Sequence, residues 1–74
     1  MSEEQEEFYY KVRIKTDVNG EKAGSNYIIK ARAVSEADAK IKIHVRKIMM
    51  EYGVENYLLD ILSITNINVV DYIA

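Results

Sequence analysis

The stretch Tyr27-Ile28-Ile29-Lys30-Ala31-Arg32-Ala33-Val34-Ser35-Glu36-Ala37-Asp38-Ala39 is where the period of the chain changes. Up to Val34 the side chains alternate: Tyr27, Ile29, Ala31 and Ala33 fall on one face, and Ile28, Lys30, Arg32 and Val34 on the other. That period of two predicts a half-buried strand from about Asn26 to Val34 with the first set towards the core. From Ser35 the apolar residues recur at helical spacing instead, with Ala37, Ile41, Val45, Ile48 and Tyr52 on one stripe flanked by His44 and Met49. The Ser35 hydroxyl is placed to cap this helix by accepting from the N–H near Asp38, while acids in the first turn oppose the positive end of the helix dipole. Gly53 can take the left-handed conformation that closes a helix at about Tyr52. A strand feeding straight into a helix is the first half of a crossover unit.

Working towards the amino terminus, Phe8, Tyr10, Val12 and Ile14 alternate with Tyr9, Lys11, Arg13 and Lys15, which predicts a first strand with its apolar set inward. Asp17-Val18-Asn19-Gly20-Glu21 follows, where Asn-Gly accepts the positive φ angles of a tight turn, and Gly24-Ser25 adds a second flexible point. A hairpin results. Towards the carboxyl terminus, Val54 to Tyr57 is a connection and Leu58 to Ile67, rich in aliphatic and β-branched residues, is a third strand with Leu62 and Ile64 chosen as inward. Asn68 to Ala74 is too apolar for a free tail and is expected to pack on this domain or on a neighbour. The crossover from the second strand to the third is right-handed by rule, and the first strand fits between them as an antiparallel neighbour. The expected fold is therefore α+β: β-β-α-β, a three-stranded sheet of order 2-1-3 covered on one face by a single helix, spanning residues 8–74 behind an acidic, solvated segment 1–7.

A chain of 74 residues supports one domain with a modest core, and without cysteine it has neither disulfides nor thiolate zinc sites to reinforce it. Self-association is the common remaining device, so a homo-oligomer is expected. No stretch reaches the roughly 20 apolar residues of a membrane span, and the acidic start is unlike a secretory signal, so no membrane partner and a cytoplasmic location are expected. The net charge of −2 conceals a segregation. Glu3, Glu4, Glu6 and Glu7 precede the first base, Glu51, Glu55, Asp60 and Asp71 follow the last, and all ten Lys and Arg lie between among only Asp17, Glu21, Glu36 and Asp38.

Catalytic chemistry finds few resources here. There is one histidine and no glycine-rich phosphate loop, and the residues three and four positions from His44 are Lys40, Ile41, Lys47 and Ile48, so no metal ligand accompanies it at helical spacing. A packed or half-exposed structural histidine, no metal, no cofactor and no enzyme are the expectations. Two surfaces are left for binding. The sheet face opposite the helix gathers Lys11, Arg13, Lys15, Lys30 and Arg32 around Tyr9 and Ile28. Cations for phosphates beside an aromatic ring for a base are the combination that single-strand nucleic-acid binders use, and a nucleotide would find the same groups. The plainer account of this face is a solvated one, because long Lys and Arg stems cover exposed sheet cheaply. The second surface is the helix stripe Ala39, Ile43 and Met50, opposite the core and flanked by Arg46 and Lys47. It suits a subunit interface or an acidic partner protein.

Phe8 to Ile14, then Tyr27 to Ala39, resembles a small uncharacterised family found in bacteriophages and gut Bacteroidetes. In that family an aromatic-led basic strand, an Asp/Asn-Gly turn, a Tyr-led strand and a Ser-x-x-Glu-Ala helix start recur in this order. The likeness covers about residues 8–45; the longer helix and the apolar C-terminal segment depart from it. The family carries no assigned activity, so no functional residue is implied. What the resemblance implies is a phage context, with the host cytoplasm as location and a host protein as a possible target. Two functions follow as alternatives: a binding protein whose basic sheet face takes nucleic acid or a nucleotide, or a protein–protein inhibitor or assembly component using the second helix face and the C-terminal segment.

Overall fold

The computed structural model describes residues 6–67. The elements are β1 (Phe8–Val18), β2 (Glu21–Ala31), α1 (Val34–Glu51) and β3 (Leu58–Ile67). The sheet has the order β2-β1-β3, with β1 antiparallel to both neighbours. The expected topology is the observed one.

β1 and β2 form one uninterrupted hairpin, from Phe8 opposite Ala31 to Val18 opposite Glu21. Two residues join them, Asn19 at φ 54° and Gly20 at φ 86°. Positive φ at both positions matches the twist of the flanking strands, and the Gly20 N–H donates to Asp17 Oδ1 at 2.9 Å. This turn is tighter than the sequence suggests. β2 starts at Glu21 rather than Asn26, so Gly24 and Ser25 lie inside the strand and are not a second bend.

The other end of β2 also differs from expectation. The strand stops at Ala31, Ala33 is an extended, exposed helix cap, and Val34 is already helical. Ser35 is thus the second helical residue, and its hydroxyl does not cap α1. The backbone N–H groups of Glu36 and Ala37 donate to Ala33 O, at 3.1 and 3.0 Å. Glu36, at the third helical position, reaches back to accept from the Arg32 N–H at 2.6 Å and from Arg32 Nη2 at 3.3 Å. The contact resembles the carboxylate half of a capping box but reaches one residue further back, to the residue before the cap, and no hydroxyl half accompanies it. These bonds to Arg32, the backbone one first, hold the Glu36 carboxyl below its ordinary pKa.

At its other end α1 closes as the glycine predicts. Gly53 has φ +72°, its N–H donates to Met50 O at 3.1 Å and the Val54 N–H donates to Met49 O at 2.8 Å, the paired bonds of a Schellman motif. That turn carries Tyr52 off the core stripe; it is 78 % exposed rather than inward.

The core lies between α1 and one face of the sheet. Tyr10, Val12 and Ile14 of β1, Ala31 of β2, and Ala37, Ile41 and Val45 of α1 are buried, with Phe8, Tyr27, Ile29, Met49, Tyr57, Leu59, Ile61 and Ile64 packed around them. The middle strand is the most buried because it has a neighbour on each side and the helix above. β3 corrects one inward choice. Its pairing with β1 slips between Arg13 and Ile14, so that Ser63 lies opposite Arg13 and Ile61 opposite Ile14, and Leu62 is the extra residue of a bulge. The bulge keeps Leu59, Ile61 and Ile64 inward and leaves Leu62 55 % exposed. The packing expected of Asn68 to Ala74 lies outside the described residues.

Candidate binding face of the sheet

Because β1 is the middle strand, its outward residues run down the centre of the uncovered face. Tyr9 lies between Lys30 and Ile67, Lys11 between Ile28 and Thr65, Arg13 between Asn26 and Ser63, and Lys15 between Gly24 and Asp60. Cross-strand neighbours point to the same side of a sheet, so these rows define the face. Lys11, Arg13, Lys15 and Lys30 are exposed, and Tyr9 is 40 % exposed. Lys30 Nζ stands 5.7 Å from the Tyr9 ring centroid, a cation–π contact, and 3.7 Å from the Glu7 carboxylate. Glu7, at the end of the acidic segment, is exposed and reaches the edge of this face through that contact.

Five of the six candidates are brought together, and the sixth is drawn elsewhere. Arg32 lies beyond the end of β2 and forms an ion pair with Glu36 at 3.3 Å, where it serves the helix start. The salt bridges among the described residues are Lys30 with Glu7, Arg32 with Glu36, and Lys42 with Asp38; none takes up Lys11, Arg13 or Lys15. Among the described residues these three cations stand on the middle strand of the face outside any salt bridge, with Asp60 across from Lys15 as the carboxylate nearest to them in the register.

Other residues join the face that the sequence does not single out. Lys22 of β2 is outward, beside Asp17, and was hidden because β2 starts earlier than its alternation suggests. Asn26, Ser63 and Thr65 supply an amide and two hydroxyls on either side of Arg13 and Lys11. The signal for Asn26 is its parity with Lys30; Ser63 and Thr65 carry no signal until the bulge sets the register of β3. The arrangement offers charge for an anion, hydrogen-bonding groups beside it and an aromatic ring at one end. Among the described residues no three His, Cys, Asp or Glu side chains gather to hold a metal ion. His44 stands edge-to-face against Tyr27, with ring centroids 5.1 Å apart.

On the helix, Ala39, Ile43 and Met50 are all exposed, Ile43 at 61 % and Met50 at 67 %. Ile43 and Met50 overhang a groove between α1 and β3. One part of it, about 440 Å³, is lined by Lys42, Ile43, Arg46, Tyr57 and Leu59. An adjoining part of about 630 Å³ shares Arg46 and Tyr57 and adds Met50, Gly53, Val54 and Glu55. Among the described residues no helix is long and apolar enough to cross a membrane. Comparison of the chain with protein-family models, with curated proteins and with solved structures finds no match.

Proposed function

We propose that this is a non-enzymatic binding protein whose open sheet face takes single-stranded nucleic acid. The observation that carries it is the placing of Lys11, Arg13 and Lys15 in a row on the central strand, none of them in a salt bridge among the described residues and only Lys15 with a carboxylate, Asp60, across from it. Alternate residues of a strand stand about 6.6–6.8 Å apart, so the three cations form a line that an extended phosphate backbone can follow. Tyr9 at one end is the stacking platform, and Asn26, Ser63 and Thr65 are hydrogen-bonding partners for sugar or base edges. A free nucleotide would engage the Tyr9 end alone. A phage setting, the expectation drawn from the resemblance of residues 8–45, would put such a protein in a host cytoplasm rich in these ligands.

The test is fluorescence anisotropy with a labelled oligonucleotide over a range of salt. Binding at low salt is expected, weakening by about 0.7 in log–log slope for each phosphate contact. Arg13→Glu should abolish it while circular dichroism is unchanged, and Tyr9→Ala should weaken it by about 1–3 kcal/mol with little change of slope. Wild-type protein that ignores oligonucleotides and nucleotides at low salt refutes the proposal. The exposed Ile43 and Met50 above a groove favour the second reading, a protein partner or host-factor inhibitor docking on α1, and that reading would then stand.

A further inference from the structure

The two edges of the sheet are finished differently. Along β2 the helix is tied down: Lys40 Nζ donates to Lys30 O at 2.7 Å and His44 packs on Tyr27. That strand also carries Glu21, Lys22 and Lys30, charges of the kind that discourage a further strand from adding. β3 carries one charge, Asp60, and no proline, with the open groove of Ile43, Arg46, Met50 and Tyr57 above it.

We propose that a second copy of this chain docks on that edge, β3 against β3 in antiparallel pairing, to make one six-stranded sheet. The bulge selects the register. In a regular strand a twofold axis between two residues sets opposite faces against each other, but the extra residue at Leu62 shifts the alternation by one. With the axis between Leu62 and Ser63, Leu62 lies opposite the partner's Ser63, Ile61 opposite the partner's Ile64, Asp60 opposite the partner's Thr65, and Leu58 opposite the partner's Ile67. Each pair then joins residues of the same face. A shift by one residue sets core-facing residues against outward ones along the whole strand, and a shift by two leaves one end of the strand unpaired and sets a core-facing residue against an outward one beside the axis. The selected register places apolar pairs on both faces, and the lone carboxylate meets a hydroxyl rather than its own copy. The dimer places both basic faces on one side of the sheet, but it does not depend on their binding anything.

Leu62 is exposed and adjoins its own copy diagonally across the axis, so charge there tests the seam without entering the core. Sedimentation equilibrium and native mass spectrometry of the full-length chain should give twice its 8.5 kDa mass for the wild type. Leu62→Lys and Leu62→Glu should each give the single-chain mass with an unchanged circular dichroism spectrum, and mixing the two variants should restore the doubled mass. Amide exchange in β3 should quicken in each variant alone and slow again in the mixture. A monomeric wild type at hundreds of micromolar overturns the proposal. So does a dimer that survives both single variants, or a pair of monomeric variants that do not recombine.

Discussion

Glu36 shows how one side chain can replace the device that a local motif advertises. Ser35 followed by acids is a good cap signal, yet the helix begins at Val34 and the orphaned N–H it needs to satisfy nearby is that of Arg32, which Glu36 reaches. Ser35→Ala should therefore leave the denaturation midpoint nearly unchanged, within about 0.5 kcal/mol. Glu36→Gln should lower that midpoint at neutral pH. Because the folded-state pKa of Glu36 is depressed, its contribution is fully present above the ordinary carboxylate range. It is lost as pH falls through that range towards the folded value. Urea denaturation on acidification should accordingly weaken wild type more steeply than the Gln variant, and parallel curves would show that the contact contributes nothing. The same contact explains why Arg32, assigned by alternation to the binding face, is engaged at the helix instead. Alternation gives a direction only while the strand lasts, and β2 has ended one residue earlier.

At the scale of elements, β1 and the turn that follows it are the most completely specified part of the chain. Phe8 to Lys15 alternates without a break, and Asn19-Gly20 is one of the few pairs that accepts positive φ twice, so turn and strands agree. Gly20→Ala should cost about 1–2 kcal/mol through the left-handed backbone alone, since a Cβ there meets nothing within 4 Å. Thermal unfolding of that variant measures it, and an unchanged midpoint would mean that the turn relaxes into another type. The C-terminal end of α1 was equally legible, because Gly53 accepts a backbone conformation that few other residues do. β3 was not. Its apolar residues are nearly continuous, so Leu62 looks as suitable for the core as Leu59 or Ile61. Only pairing against β1, with its slip beside Arg13, turns Leu62 outward and brings Ser63 and Thr65 to the basic face.

For the molecule as a whole, one thin core supports both candidate surfaces. Val12 and Ile41 are the largest fully buried side chains, one from the middle strand and one from the helix, and they hold the two layers together. Ile41→Ala should cost about 2–5 kcal/mol, a large share of the stability of a domain this small. Chemical denaturation should show the loss, and a shift below about 1 kcal/mol would mean that α1 contributes little to the fold. The sequence by itself determined the element types, their order and the placing of Tyr9, Lys11, Arg13 and Lys15 on a face away from the core. Those follow from periodicities of two and 3.6 residues, which are local properties of a chain. Tertiary structure alone decided which residues flank those cations, that Arg32 leaves them for Glu36, and that β3 carries a bulge. These depend on register and on packing between segments far apart in sequence, where each side chain's direction is set by what lies across from it.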